Sequence, residues 1–214
     1  FDVKGYQSQV CETLKHIFKD ATVLIVTRNF ADLLPSAYSQ YVKTGGDQGY
    51  AVFLERHDDL LKHLWDFNHL IEVYASVFGE ERVLVMPWEL LRDDEDRFLG
   101  LIEERLGLVR FRLNKVTSNP SLNRRELLVY PLISKIVAYL VERRKEDLRP
   151  ALFRGHISRL RKGRYRGWAK LIGLVMEKTR AEHGDPAAKY LPGFKQEPSV
   201  LSSNPLYSGY QSEY

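Results

Sequence analysis

Short apolar runs alternate with longer amphipathic stretches through the first half of the chain. Residues 22–26 (TVLIV) and 82–87 (RVLVMP) are rich in β-branched and aliphatic side chains, as are strands that are covered on both faces of a parallel sheet. In four other stretches apolar side chains recur every three or four positions, which predicts helices. These helices are expected over residues 9–18, 31–42, 57–78 and 93–106.

The order of these elements predicts the fold class. Strands that alternate with helices favour an α/β architecture with right-handed crossovers between parallel strands. Residues 127–141 and 167–180 predict two more helices, and the residues beyond Gly184 are rich in Pro, Ser, Gly and Tyr. We therefore predict a single domain over residues 1–214, with three layers around a central parallel sheet, a helical carboxyl-terminal part and an extended tail over about residues 185–214.

Pro35 constrains where the helix over residues 31–42 begins. Proline has no backbone N–H, and a helix tolerates it best in the first turn, where that N–H would have no intrahelical partner. The helix is therefore expected to begin close to Asp32.

Composition places the chain among ordinary globular proteins. It has 214 residues, 44% of them hydrophobic and 28% charged, and a net charge of +4. Cys11 is the only cysteine, so neither an intrachain disulfide nor a thiolate metal cage can form within the chain, and a reducing cytoplasm is the expected compartment. No apolar run is long enough to span a bilayer. The chain begins at Phe1 without an initiator methionine, and we expect either that it is a processed product or that a segment is missing.

Charge is distributed unevenly. Residues 149–170 contain eight Lys or Arg and no acid, interleaved with Phe153, Tyr165 and Trp168. Such a run could bind nucleic acid or an anionic membrane surface, although a solvated helix face is the commoner outcome. His57, His63 and His69 recur every six residues, a spacing that does not bring them together on a helix, and no metal site is predicted.

Arg28 and Ser36 form a candidate anion site. Arg28 follows the first predicted strand, and ligands of open parallel sheets bind beyond the carboxyl ends of the strands. The helix that follows offers free N–H groups in its first turn, so Arg28 and the Ser36 hydroxyl could meet on one phosphate. The alternative is that Arg28 pairs with a surface acid and that Ser36 has no special role.

Three segments in order resemble the sulfotransferase family. The stretch TRNFADLLPSAYSQYVKTGG resembles the segment that binds the donor's 3′-phosphate, in which a serine follows eight residues after an arginine. Arg28 and Ser36 match these two positions, while Phe30 stands where the family usually has proline. The stretch VLVMPWELLRDDEDRFLGLIEERLGL is similar to the family's next strand, turn and helix, with Glu89 and Leu90 on the turn. SNPSLNRREL is similar to an element found in bacterial members.

The resemblance implies a P-loop-NTPase-like sulfotransferase fold and a specific chemistry. The implied activity is transfer of a sulfuryl group from 3′-phosphoadenosine 5′-phosphosulfate (PAPS) to a hydroxyl of a small molecule, lipid or glycan. Arg28 and Ser36 would hold the 3′-phosphate of the donor or of its product, adenosine 3′,5′-bisphosphate (PAP). The alternative is a basic, non-catalytic binding protein that keeps a degenerate form of the fold; no nucleic acid partner and no transmembrane segment are expected.

Other parts of the family's site are missing or less specific. The family begins with a glycine-rich loop for the 5′-phosphosulfate, and no such phosphate-binding motif occurs in this chain. No catalytic base is assigned, because Glu12 and His16 are expected to be exposed. Glu89 is expected to accept hydrogen bonds from the backbone at its turn. Arg161-Lys162-Gly163 resembles a loop that caps the 3′-phosphate in cytosolic members, but basic residues are common in this region.

Overall fold

A computed structural model of the protein describes residues 2–110, 121–144, 149–180, 201, 204–208 and 210, with the backbone alone at residues 149, 150 and 175–180. The chain divides into two compact units. The first comprises Phe1–Asp32, His57–Val116 and Leu191–Tyr214, and the second comprises Leu33–Arg56 and Thr117–Tyr190.

Helices make up most of the described chain. The strands are β1 (Val23–Thr27) and β2 (Val83–Pro87), and 3-10 turns cover Glu80–Arg82 and Pro205–Tyr207. The helices are α1 (Val3–Ile17), α2 (Phe30–Lys43), α3 (Tyr50–Leu64), α4 (Phe67–Phe78), α5 (Trp88–Asp93), α6 (Glu95–Leu106), α7 (Arg124–Glu142), α8 (Arg149–Arg161) and α9 (Arg166–Arg180).

The predicted fold class is wrong. In place of three layers around a central parallel sheet of the P-loop-NTPase type, the described residues form a mostly helical structure with one sheet, in which β1 and β2 pair in parallel. The strands themselves and their parallel pairing were predicted correctly, and the carboxyl-terminal part is helical as expected. The prediction was wrong because a run as apolar as TVLIV is typical of a strand that is covered on both faces. In the structure burial alternates along β1: Ile25 is buried, but Leu24 and Val26 are 43% and 42% exposed.

The first unit packs α1 against α4 and packs β2 with α5 and α6. Helix α1 begins at Val3, where the Asp2 carboxylate accepts a hydrogen bond from the N–H of Gly5, well before the predicted start at residue 9. Its buried side chains are Val3 and Cys11, whereas Ile17 and Phe18 of the predicted apolar face are more than half exposed. A second cluster in this unit consists of Met86, Leu90, Phe98 and Leu99.

Two helices replace the single helix predicted over residues 57–78. Helix α3 ends at Leu64, and Asp66 caps α4 by accepting a hydrogen bond from the N–H of His69 at 3.1 Å. The amphipathic pattern continues across this break, because Phe67 and Ile71 of α4 are buried. Periodicity alone therefore could not reveal the break.

Pro35 lies deeper in α2 than predicted. The helix begins at Phe30, and the Asn29 side chain caps it by accepting a hydrogen bond from the N–H of Asp32 at 2.8 Å. Pro35 is consequently in the second turn, where it cannot donate to the carbonyl of Ala31.

The second unit has an aromatic cluster and a helical bundle. Tyr38, Tyr41, Tyr50 and Phe53 stack around one another, with ring centroids 4.8 to 6.1 Å apart. Helix α7 packs against both α8 and α9. Helices α7 and α9 were predicted to within three residues at each end, whereas α8 was not predicted.

Part of the predicted tail lies among the described residues. Leu201 and Tyr207 there are buried, at 7% and 1% exposure. Most of residues 185–214 lie outside the described residues, and the single domain over residues 1–214 stays a prediction.

Candidate anion-binding site at Arg28

Arg28 is the first residue after β1, and its side chain lies against an indole ring. The guanidinium carbon is 4.3 Å from the ring centroid of Trp88, which is the first residue after β2. Because Thr27 pairs with Pro87 in the parallel register, Arg28 and Trp88 leave the sheet side by side. The side chain of Arg28 is 27% exposed. This contact fixes the plane of the guanidinium at the carboxyl edge of the two strands.

The guanidinium of Arg28 keeps donor capacity. Its Nε atom is buried and has no hydrogen-bond partner among the described residues. Its Nη2 atom forms an ion pair with Oδ2 of the partly exposed Asp32, as the alternative interpretation of the sequence expected, but the separation of 4.0 Å is beyond hydrogen-bond distance. An unsatisfied buried donor is costly. An anion at the exposed part of this guanidinium would supply acceptors for its N–H groups.

Arg92 lies on the same indole but is already paired. Its guanidinium is 5.7 Å from the Trp88 centroid and forms two hydrogen bonds to Asp93, at 2.7 and 3.0 Å. The hydrogen bonds from Arg92 lower the pKa of Asp93. Arg92 also lies 3.6 Å from Asp32. Of the two guanidiniums beside Trp88, Arg28 is therefore the one with an unused donor.

Glu89 holds the turn that carries Arg28. This carboxylate is fully buried, and its Oε1 accepts hydrogen bonds from the backbone N–H and the side-chain amide of Asn29, each at 2.9 Å. The expected backbone-fixing role of Glu89 is confirmed, although the backbone it binds belongs to the turn after β1. Asn29 in turn caps α2 through Asp32. The hydrogen bonds made by Asn29, the next residue, thus set the position of Arg28.

Tyr207 contacts the end of β1 from a distant part of the sequence. Its hydroxyl lies 2.7 Å from Oγ1 of Thr27, and both side chains are buried. Burial raises the pKa of Tyr207, so its hydroxyl stays protonated at neutral pH. Nearby, the Asn204 amide donates to the carbonyl of Val85 in β2 at 3.1 Å. These contacts join the segment around Asn204 and Tyr207 to both strands.

The remaining predicted residues are distributed as follows. Ser36 is half-buried in the second turn of α2 and belongs to the second unit, and its role stays a prediction. Arg161 and Lys162, exposed at the end of α8, also belong to that unit. The expected exposure of Glu12 and His16 is confirmed.

Sequence reasoning missed Trp88, Arg92 and Tyr207. Trp88 could have been found, because two parallel strands that end in register bring the residues after them together. Tyr207 gives no such signal, since its contact with Thr27 joins segments 180 positions apart.

The second unit contains a separate buried polar cluster. Oγ of Ser134 lies 3.0 Å from Nε2 of His156, whose Nδ1 lies 3.2 Å from the hydroxyl of Tyr165. Burial, followed by the charge of Arg159, lowers the pKa of His156. A serine beside a histidine is also found in hydrolases, but here Ser134 and His156 are 2% and 1% exposed. The cluster therefore joins α7 to α8 and is closed to substrates.

A nearby charge network joins α7 to α9. The Glu126 carboxylate accepts hydrogen bonds from the Tyr130 hydroxyl at 3.0 Å and from Nε of Arg166 at 2.9 Å. Burial lowers the pKa of the adjacent Lys43, and the charge of Glu126 opposes that effect. All of these groups have partners, which indicates a structural role.

Comparisons with protein-family models, with curated proteins and with solved structures gave no match. Among the described helices, none combines the length and the apolar character that crossing a membrane requires.

Proposed function

We propose that Arg28 binds the 3′-phosphate of PAPS or PAP and that the chain carries this part of the donor site of a sulfotransferase. The observation that carries the proposal is the Arg28 guanidinium, which lies over Trp88 at the end of β1, belongs to a side chain that is 27% exposed, and has no hydrogen-bond partner at Nε among the described residues. Support also comes from the resemblance of the surrounding segment to the family's 3′-phosphate-binding segment.

A phosphate monoester matches these donors. Arginine presents several N–H groups in one plane and binds phosphate through two of them at once. Because Trp88 and the Asn29–Glu89 contacts hold the guanidinium in place, little side-chain entropy is lost on binding. The resemblance also assigns Ser36 to this phosphate, and that assignment stays a prediction, because Ser36 belongs to the second unit.

Asp32 affects how tightly this site would bind phosphate. Its carboxylate lies 4.0 Å from Arg28 and 3.6 Å from Arg92 and would repel a phosphate. Its side chain is 41% exposed, so solvent screens this repulsion. Salt screens both the attraction of the phosphate to Arg28 and its repulsion by Asp32. PAP binding should therefore weaken as ionic strength rises if the attraction is the larger of the two.

The proposed reaction transfers the sulfuryl group from the donor to an acceptor hydroxyl. The acceptor oxygen forms a bond to sulfur, the bond between sulfur and the phosphate oxygen breaks, PAP leaves, and a base takes the hydroxyl proton. No base is assigned to this chain. We place the reaction in the cytoplasm, in keeping with the single cysteine, and the acceptor among hydroxylated small molecules, lipids or glycans.

Calorimetric titration with PAP tests the donor site. Arg28→Ala is expected to weaken PAP binding by about 2 kcal/mol, typical of a lost hydrogen bond to a charged group. Adenosine 5′-monophosphate, which lacks the 3′-phosphate, should bind both proteins equally weakly. Arg82→Ala is the matched control, because Arg82 directly precedes β2 and pairs with the exposed Asp20.

Two results would count against parts of the proposal. Equal PAP affinity of the Arg28→Ala and unsubstituted proteins would remove Arg28 from the site. PAP binding without sulfuryl transfer to any acceptor, measured with radiolabelled PAPS, would favour the non-catalytic binding protein.

A further inference from the structure

Side chains of α9 are described over residues 166–174, and in this part of the helix the large apolar ones are exposed. Trp168, Leu171 and Leu174 are 63%, 70% and 52% exposed, and Ile172 is 39% exposed. Within residues 166–174 the buried residues are small: Ala169 is 1% exposed, and Gly173 approaches Arg125 of α7 so closely that an added Cβ would lie 2.8 Å from the Cβ of Arg125. In this described part of α9, small residues pack against α7, and the large apolar residues are exposed to solvent.

This apolar face lies next to a basic loop. Arg161, Lys162 and Arg164 lie between the end of α8 and the start of α9, and all three are exposed. The loop turns at Gly163, whose φ of 63° is one that glycine adopts readily. Residues 149–170 contain no acid. The apolar face is therefore bordered by positive charge that no acid of this segment neutralises.

We propose that the exposed face of α9, together with the loop of Arg161, Lys162 and Arg164, binds the surface of a membrane that contains anionic lipids. Helices that lie in a membrane interface combine an apolar face carrying Trp and Leu with nearby Lys and Arg. The apolar side chains enter the boundary between headgroups and acyl chains, and the cations remain at the lipid phosphates. This proposal does not rest on the proposed sulfotransferase function.

The apolar face decides between a membrane and the other candidate partners. Nucleic acid would be bound by the cations, but Leu171 and Leu174 have no counterpart on a phosphate backbone. A two-fold contact between two copies of this face leaves the basic loops without acidic partners from this segment, because residues 149–170 contain no acid. A bilayer with anionic headgroups is the partner that satisfies both the apolar and the charged residues.

Vesicle co-sedimentation of the full chain tests the proposal. The probes are vesicles of phosphatidylcholine alone and of phosphatidylcholine mixed with phosphatidylserine. We expect binding to the mixed vesicles and much weaker binding to the neutral ones. The combined substitution of Arg161, Lys162 and Arg164 by Gln should lower the partition coefficient by on the order of 100-fold at low salt, which is about five-fold for each charge.

The apolar contribution is tested separately. Leu171→Ser combined with Leu174→Ser should lower partitioning into mixed vesicles by more than about 10-fold, because two exposed leucines no longer leave water. The fluorescence of Trp168 should shift to the blue on vesicle binding, and this shift should be lost in Trp168→Phe. Since these side chains are exposed, the substitutions should leave the far-ultraviolet circular dichroism unchanged.

Control variants match each change. Leu60→Ser with Leu64→Ser removes two leucines that are 44% and 45% exposed on α3. The combined substitution of Arg97, Arg105 and Arg110 by Gln removes three exposed charges elsewhere. Both controls are expected to bind mixed vesicles like the unsubstituted protein.

Three results would overturn the proposal. The first is that the unsubstituted chain does not bind mixed vesicles, and the second is that the α9 variants bind as well as their controls. The third is tight binding to a DNA or RNA oligonucleotide. If the leucine substitutions leave this binding unchanged and mixed vesicles do not compete with it, the surface binds nucleic acid.

Discussion

Glu89 accepts two hydrogen bonds from Asn29, one from its backbone and one from its side chain, through a single buried oxygen. Asn29 is the residue between Arg28 and α2. The Glu89 carboxylate, which follows β2, thus determines the position of the Arg28 guanidinium, which follows β1.

Replacement of Glu89 should destabilise the protein strongly. Glu89→Ala leaves both donors of Asn29 buried without this acceptor, which is expected to cost about 2 to 4 kcal/mol of unfolding free energy. Glu89→Gln keeps an acceptor oxygen and should cost less. Urea unfolding checks both values. Glu12→Ala, which changes an exposed glutamate on α1, should change stability by less than about 0.5 kcal/mol; a comparable loss in Glu12→Ala and Glu89→Ala would contradict this interpretation.

The hydroxyl of Tyr207 should contribute to stability through Thr27. Tyr207→Phe removes the 2.7 Å contact and leaves Thr27 with one partner fewer, so a loss of about 1 kcal/mol is expected. Tyr207→Ala also empties buried volume and should cost about 3 to 5 kcal/mol. Tyr139→Phe is the matched control, since Tyr139 is 53% exposed. Equal midpoints of thermal unfolding for all three variants would show that the segment around Tyr207 does not pack on β1.

Trp88 should support PAP binding without touching the phosphate. Trp88→Leu removes the ring from beneath Arg28 and is expected to weaken PAP binding by about 1 kcal/mol, whereas Trp88→Phe retains a weaker cation–π contact and should weaken it less. Calorimetry measures both affinities. The same substitutions should leave the affinity of Arg28→Ala for PAP unchanged, because the ring acts through the guanidinium. A loss that is independent of Arg28 would assign Trp88 a separate role.

The buried His156 should make the second unit sensitive to acid. Burial lowers its pKa in the folded chain below the ordinary value of 6.5, so the unfolded chain binds a proton first as the pH falls. Its contribution to stability is therefore complete above about pH 6.5 and decreases below that value, by at most about 1.4 kcal/mol per pH unit. Ser134 and Tyr165 contact the ring, Phe153 packs beside it, and Arg159 adds positive charge.

His156→Gln separates this effect from other titrations. The substitution should lower stability at pH 7 and flatten the dependence of unfolding free energy on pH between about 7 and 5. His16→Gln, at an exposed position, should retain the full dependence. If the unfolding free energies of His156→Gln and of the unsubstituted protein fall equally between about pH 7 and pH 5, a group other than His156 causes the pH dependence.

Local sequence patterns predicted both strands to within one residue and the end of α6 at residue 106, where Gly107 follows with a φ of 62°. These features depend on neighbouring residues alone. The three-layer sheet was wrong because the number of layers depends on which strand faces are covered, and Leu24 and Val26 show that the composition of β1 does not reveal this.

Helix α8 and the residues around Arg28 illustrate two other limits. The described buried side chains of α8 are His156 and Leu160, too few to form an apolar repeat. The position of Arg28 could be predicted from β1, but the unused Nε donor depends on Trp88 and Asp32, which only the folded arrangement brings to it.

The water-facing side of β1 has a practical consequence. Leu24 and Val26 present aliphatic surface on a strand whose backbone, in the described residues, is paired with β2 alone. Pairing of such strands between molecules produces aggregates in concentrated preparations. Natural proteins commonly prevent it with a lysine on the exposed strand, as could be placed at either position. Purification of this chain at high concentration should therefore benefit from Leu24→Lys.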